Sequence, residues 1–355
     1  MEFNNKVLLG MSGGVDSSAA AIKLLEAGFE VAGVTMILKP YKYLTEEEKE
    51  SLYKEAEDAK RVCDILGIKH YAPSFQEEFE EAVIKDFITC YLEGRTPNPC
   101  VKCNINLKFG AMLQFAKEIG FDRIATGHYA KLEKDIENGR TLLKKAPTKK
   151  DQSYFLYGLK QHQLERAIFP IGDIDKEEAR ALAEKYKLPV AKKPDSQEIC
   201  FIKNNNYVDF LSNYANKIPT EGSFINEEGK ILGKHQGIHR YTIGQRKGLG
   251  VTFGEPMYVK NIDAKNNTVT LSRLEGLFSD TLFARDVNLI ALSKIEKPIY
   301  AEAKIRYQAK PSMALIEKVG ELYKFTFEEK QKSVTPGQAV VFYNGDTVLG
   351  GGTII

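Results

Sequence analysis

The sequence predicts an α/β domain built on a doubly wound parallel sheet, followed by a small central domain and a C-terminal antiparallel β-barrel. Three observations carry that prediction. Between residue 6 and about residue 126, short apolar runs alternate with helical patterns, as in βα units whose sheet is covered on both faces. Around residues 205–220 that rhythm gives way to Gly, Asn and alternating hydrophobics. From about residue 280, six short strand patterns separated by turn residues fill the rest of the chain, which suits a small barrel. The expected domains are 1–210, 211–278 and 279–355.

Taken in order, the first domain offers strands at 6–11, 30–36 and 123–126, a weaker one at 68–71, and helices at 17–27, 46–66, 79–92 and 107–119. Ligands of such sheets bind beyond the carboxyl ends of the strands, where Met36 and Gly127 lie. A charged segment at 131–139 reads as a surface hairpin, and 176–187 as an amphipathic helix capped by Asp175. In the central region, 257–262 and 268–271 flank Lys265-Asn266-Asn267 as a hairpin. Barrel strands are expected at 283–292, 299–307, 313–319, 323–327, 339–343 and 347–354.

The chain has 355 residues, 43% hydrophobic and 28% charged, an ordinary globular composition with room for two or three domains. Net charge is only +2, so a nucleic-acid partner must be met by local patches, not a global field. No run is long enough for a membrane span or a signal peptide, which predicts a cytoplasmic protein. Five cysteines, an odd number, fit a reducing compartment and reactive or metal-binding thiols.

The stretch Gly10-Met11-Ser12-Gly13-Gly14-Val15-Asp16-Ser17-Ser18 joins an apolar strand to a helix. Such a turn aims backbone N–H groups and a helix dipole at one spot, suiting a bound anion. Ser12 and Ser17 add hydroxyls; Asp16 would repel a phosphate unless a cation intervenes, and reads as a Mg²⁺ ligand. The P-loop pattern fails for want of its Lys, and the dinucleotide fingerprint fails on glycine spacing. The stretch instead resembles the Ser-Gly-Gly-x-Asp-Ser loop of the ATP pyrophosphatases, which split ATP into AMP and diphosphate.

A second loop, Gly94-Arg95-Thr96-Pro97-Asn98-Pro99-Cys100-Val101-Lys102-Cys103-Asn104, reads as extended, with Asn104 capping the next helix. Cys103 would then precede a helix N-terminus beside Lys102 and Lys108, which lowers a thiol pKa. A buried small hydrophobe is the plainer reading of Cys103, and half a zinc site lacks its second half. Cys63 and Cys90 read as core residues, as does Cys200 on its own; His128 reads as a substrate contact or a satisfied edge histidine. Lysines 144, 145, 149 and 150, and the acid-free stretch 229–254, are candidate phosphate-backbone surfaces or solvated basic faces. On spacing alone Arg306, Tyr307 and Gln338 are ordinary barrel residues.

These motifs occur in the order found in the tRNA-specific 2-thiouridylases, which the chain resembles over its whole length. The carriers are the loop 10–17, residues 96–104, Thr126-Gly127-His128-Tyr129, Lys150-Asp151-Gln152-Ser153, Ile199-Cys200-Phe201 and Gly244-Gln245-Arg246-Lys247-Gly248-Leu249-Gly250. The resemblance implies the pyrophosphatase fold and thiolation at C2 of a wobble uridine in lysine, glutamate and glutamine tRNAs. It implies that Gly10, Met11, Ser12, Gly13, Gly14, Val15, Asp16, Ser17, Met36 and Gly127 contact ATP. Cys200 would carry a persulfide from a donor protein, a cysteine desulfurase or sulfur-relay protein, and Cys103 would be the partner nucleophile. Asn98, Pro99 and Cys100 would border the flipped-out base, and His128, Lys150, Asp151, Gln152, Arg306, Tyr307 and Gln338 would contact tRNA. Because some members carry Asp at the Cys100 position, Cys100, Cys103 and Cys200 are also an alternative ligand set for a [4Fe-4S] cluster. Other pyrophosphatase-loop enzymes, or an RNA-binding protein with a vestigial loop, are the competing readings.

Overall fold

The computed structural model describes residues 3–46, 49, 52–193, 199–202, 206–215, 217–251 and 254–355. The helix expected at 46–66, the polar run before Cys200 and the basic stretch 229–254 therefore lie partly outside the described residues. The chain forms two compact units. One comprises Met1–Val83, Cys100–Gln197 and Asp346–Val348; the other comprises Ile84–Pro99, Glu198–Gly345 and Leu349–Ile355.

In the first unit, β1 (Lys6–Gly10), β2 (Glu30–Val34), β3 (Lys69–Tyr71), β4 (Arg123–Ala125) and β7 (Ala167–Ile168) form a parallel sheet in the order β3-β2-β1-β4-β7. Leu8 pairs with Ala32 on one side and Ile124 on the other, and Val7, Leu8 and Leu9 are fully buried. A central parallel strand is covered on both faces, which is why its sequence is an unbroken apolar run. Between β4 and β7 the chain makes the expected hairpin, β5 (Ala130–Lys134) and β6 (Thr141–Lys145).

Helix α1 (Val15–Glu26) follows β1 directly. Its Ala19-Ala20-Ala21 run favours helix and is buried, sharing one core with Ala179 and Ala183 of the helix Lys176–Lys185. Methyl-sized side chains on both helices allow close approach, and Asp175 starts the second helix by accepting the Glu177 and Glu178 amides. Helix α2 (Lys54–Leu66) ends at Gly67 in the left-handed conformation and buries Ala59, Val62 and Cys63.

In the second unit, the helices Lys85–Leu92 and Tyr207–Tyr214 meet through aromatic rings. Tyr91 stacks on Tyr207 at 4.4 Å, and Phe201 sits edge-on to Phe87 at 5.2 Å. A small sheet of β8 (Gly222–Ile225), β9 (Ile231–His235), β10 (Tyr258–Asp263) and β11 (Thr268–Ser272) runs β10-β11-β8-β9 around Phe224, Ile238, Val259 and Leu271.

Six strands then close a barrel: β12 (Phe278–Leu289), β13 (Ile299–Lys304), β14 (Ser312–Val319), β15 (Leu322–Lys332), β16 (Ala339–Asn344) and β17 (Thr347–Ile354). The order is β12-β15-β14-β13-β16-β17, and β12 is long enough to pair with β15 through Ala284 and with β17 from Ala284 onward. Closure removes the free sheet edges, and Phe325, Phe327, Phe342 and Ile316 fill the interior.

Candidate active site

The turn between β1 and α1 is shaped by its own residues. Gly13 has φ +65°, and a Cβ there would meet Glu55 O at 2.8 Å. Ser17 Oγ accepts the Ser12 N–H at 3.3 Å and donates to Gly14 O at 3.2 Å, while Ser18 Oγ donates to Gly14 O at 2.8 Å. Gly14 is the N-cap of α1 and, as glycine, supplies no capping side chain of its own. That helix N-terminus is thus available to an anion. Gly127 presses on the turn from the β4 side: a Cβ there would lie 2.9 Å from Asp16 C and Ser17 N. Met36 is half-buried just past the end of β2.

Asp16 has partners that local sequence does not announce. Its Oδ1 accepts from Lys176 Nζ at 2.8 Å and from Tyr129 OH at 2.7 Å. Lys193 Nζ donates to Gly13 O at 3.0 Å and to Asp58 Oδ2 at 3.1 Å. Lys176 thus places an ammonium group against the carboxylate that the sequence marks as a Mg²⁺ ligand. Lys176, Lys193 and Tyr129 are the residues that sequence reasoning left without a role. The start of a capped helix at Asp175-Lys176 was visible, but nothing local ties it to a residue 160 positions earlier. Two ammonium groups, a helix N-terminus and two hydroxyls suit a polyphosphate, and the Asp16 carboxylate suits its divalent cation.

The cysteine segment departs from expectation. Pro99 is the first residue of a helix, Pro99–Cys103, which continues through a wider π stretch, Asn104–Ala111, into Met112–Glu118. Proline lacks only an N–H that the first helical turn leaves unpaired, so it starts a helix instead of excluding one. Cys100, exposed, and Cys103, half-buried, thus lie inside the first turns, and Asn104 donates to Phe155 O instead of capping. The Cys103 thiol is not lowered. Burial pushes it above the ordinary cysteine value, and Lys108 opposes that only partly. Cys63 is the core residue expected, pushed up to about 12 by burial, and Cys90 is also buried.

Lys108 Nζ donates to His128 Nε2 at 3.5 Å, which leaves the Nδ1 proton for Thr126 Oγ1 at 2.7 Å. Burial, then Lys108, holds the His128 imidazole neutral, well below its usual range. Asp151 accepts the Ala146 and Ser153 amides, and Gln152 Oε1 accepts the Tyr129 N–H, so both brace the turn that carries Lys150. Arg306 donates to Lys332 O and lines a polar cavity of about 350 Å³ with Gln308, Lys310, Glu329 and Lys332. Lys304 lies over the Tyr307 ring at 5.6 Å. Gln338 donates to Thr96 O at 3.1 Å and to Pro97 O at 3.0 Å. Cys200 is exposed, one residue before the packed Phe201. Among the described residues no group of three or more His, Cys, Asp or Glu side chains is arranged to hold a metal ion.

A glycine-rich turn opening a helix at the carboxyl edge of a parallel sheet, in a chain that also carries a six-stranded barrel, has the form of an α/β protein with a candidate anion site. Residues 5–204 match the family described as tRNA methyl transferase HUP domain, 208–273 the corresponding PRC-barrel domain, and 279–354 an aminomethyltransferase beta-barrel domain. The chain is 51% identical to a tRNA-specific 2-thiouridylase of Clostridioides difficile, covering 100% of this chain and 99% of that one. It is 49% identical to one from Caldanaerobacter subterraneus (100% and 99%) and 48% identical to one from Acetivibrio thermocellus (98% and 99%). The chain belongs to the tRNA-specific 2-thiouridylase (MnmA) family.

Proposed function

We propose that this protein is a tRNA-uridine 2-sulfurtransferase that activates C2 of the wobble uridine with Mg-ATP and replaces its oxygen with sulfur. The observation that carries the reading is the phosphate-binding turn around Asp16 in a chain 51% identical, end to end, to a tRNA-specific 2-thiouridylase. Residues 10–17, Met36 and Gly127 bind ATP, and Asp16 takes its Mg²⁺. Lys176 and Lys193 add positive charge for the phosphates. The uridine O2 attacks the α-phosphorus and diphosphate leaves. The outer sulfur of a Cys200 persulfide then attacks C2, and AMP leaves with the oxygen. Cys103 gives its proton to water and attacks Cys200 Sγ as the thiolate; a Cys103–Cys200 disulfide forms, the bond between Cys200 Sγ and the sulfur on C2 breaks, and that sulfur keeps the electron pair as the thiocarbonyl. An external thiol reduces the disulfide.

In this reading 1–210 is the catalytic domain, 211–278 a central tRNA-binding domain and 279–355 the barrel. Asn98, Pro99 and Cys100 border the flipped base. His128, Lys150, Asp151, Gln152, Arg306, Tyr307 and Gln338 mark the tRNA side, and the cavity beside Arg306, Lys310 and Lys332 suits a phosphate backbone. The substrates are lysine, glutamate and glutamine tRNAs, the sulfur comes from a cysteine desulfurase or relay protein, and the reaction is cytoplasmic. No helix among the described residues is long and apolar enough to cross a membrane.

The test is nucleoside mass spectrometry of unmodified tRNAs incubated anaerobically with enzyme, Mg-ATP and a sulfur source, with and without iron. Iron-independent 2-thiouridine at the wobble position, abolished by Cys200→Ser, is expected. Strict iron dependence would replace the persulfide with a [4Fe-4S] route through Cys100, Cys103 and Cys200. AMP without any thionucleoside would mean a different acceptor.

A further inference from the structure

The loop 94–97 is held by residues far from it in sequence. Gly94, at φ +72°, is packed so tightly on Ile262 that a Cβ would lie 2.6 Å from its Cγ2. The Arg95 N–H donates to Cys90 O at 2.8 Å, and its guanidinium donates to Cys90 Sγ at 3.1 Å and to Glu93. From the barrel, the turn Pro336-Gly337-Gln338 grips the next two residues. The Thr96 N–H donates to Pro336 O at 2.9 Å, and both side-chain amide protons of Gln338 are spent on Thr96 O and Pro97 O. Gly337, at φ +92°, lets the turn come this close, since a Cβ there would sit 2.7 Å from Thr96 O. Gln338 is half-buried and Pro97 buried, so these bonds are shielded from competing water.

We propose that Gln338 is a positioning residue: its amide fixes the backbone of Thr96 and Pro97 and thereby the path of Asn98 and Pro99 that follow. The barrel thus acts on the reaction through this loop, in addition to any contact it makes with tRNA. The inference rests on the reading above that Asn98 and Pro99 border the target base. With its Nε2 turned onto the protein backbone, Gln338 keeps only Oε1 for a tRNA contact, so the positioning role reads out as a fall in kcat larger than any change in KM for tRNA.

The experiment uses full-length Gln338→Met, which keeps the length and removes the donors, beside Gln338→Glu, which keeps shape and acceptors but also cannot donate. Thermal midpoints confirm folding, and either variant suffices if the other fails to fold. Two readouts are taken: hydrogen exchange of the peptide spanning 94–99, and kcat and KM for tRNA thiolation. Exchange at Thr96 should accelerate about tenfold or more, and kcat should fall about tenfold with KM within about threefold of wild type. A raised KM with unchanged kcat would make Gln338 a tRNA contact and overturn the proposal. Faster exchange with both constants unchanged would reduce the clasp to a structural detail, and unchanged exchange would overturn it outright. If the wild-type protein makes no 2-thiouridine, the functional reading has failed, and exchange alone then decides whether the clasp exists.

Discussion

Two glycine-containing loops, one in each compact unit, are shaped in opposite ways. The turn at 10–17 is folded by its own residues: Gly13 supplies the left-handed φ, and Ser12, Ser17 and Ser18 bond back to the turn. The loop at 94–97 owes its path to Ile262, Pro336 and Gln338, which stand more than 160 residues downstream. A loop of the first kind draws its backbone path chiefly from its own residues, with Lys193 and Gly127 bracing it from outside. One of the second kind exists only once the distant elements have folded, so it can be tuned by changes that never touch the reacting atoms.

The largest expected effect breaks the self-shaped turn. Gly127→Val would drive a branched side chain into the Asp16–Ser17 backbone, where even a Cβ lies 2.9 Å away. ATP-dependent diphosphate release should fall by roughly a hundredfold or more, since misplacement of about 1 Å already costs that much. Activity near wild type would mean that the turn yields and is not the phosphate site. Next, Lys176→Met removes the ammonium from Asp16 and should lower the same rate by about tenfold or more, as losing a charge-assisted hydrogen bond does. Tyr129→Phe, which keeps the Lys176 pair, should cost less. An equal loss in both variants would show that Asp16 orientation, not positive charge, is what matters.

The remotely held loop is tested by Gly337→Ala against Gly139→Ala. Both glycines have positive φ, but only at Gly337 does a Cβ meet backbone, 2.7 Å from Thr96 O; at Gly139 nothing lies within 4 Å. Urea denaturation should show a loss of about 1–3 kcal/mol at 337 and about 1 kcal/mol at 139. Equal losses would mean that the clasp adds nothing to stability.

Thiol chemistry gives a smaller effect. Because burial raises Cys103, its alkylation rate should keep rising with pH past the ordinary cysteine range, and Lys108→Met should move the midpoint higher still. A downward move would place the dominant influence elsewhere.

The small sheet and the turn that follows its strand β9 supply a contrast between two histidines. His235 is satisfied, donating to Asn267 O and accepting the Gly237 N–H, each at 3.1 Å. Among the described residues neither ring nitrogen of buried His239 has a partner, and burial, then Arg240 and His235, lowers its pKa to about 4. The unfolded chain takes up this proton near pH 6.5 and the folded one only near 4. Stability should therefore decline as pH falls through that window, by at most roughly 3 kcal/mol. His239→Leu should remove this dependence in pH-titrated urea melts; an unchanged slope would assign it to other groups.

Much of this was legible in the chain itself. The apolar run Val7-Leu8-Leu9, the Ala19-Ala20-Ala21 helix, the glycine-rich turn between them and the barrel rhythm depend on short-range periodicity and on backbone angles open to few residue types. Proline at 99 misled because its local rule is positional: it forbids helix interior yet favours helix start. The lowered Cys103 thiol failed for a related reason, since Lys108 was visible in sequence and burial was not.

What the sequence alone determined about this protein is the class of its sheet, its glycine-rich turn and its family, each written in short motifs whose residues lie within a few positions of one another. Only the tertiary structure decided that Lys176 and Tyr129 meet at Asp16, and that Gln338 grips Thr96 and Pro97. Electrostatic and hydrogen-bond energies depend on distance through space and on the exclusion of water, and neither is a property of a neighbourhood in the chain.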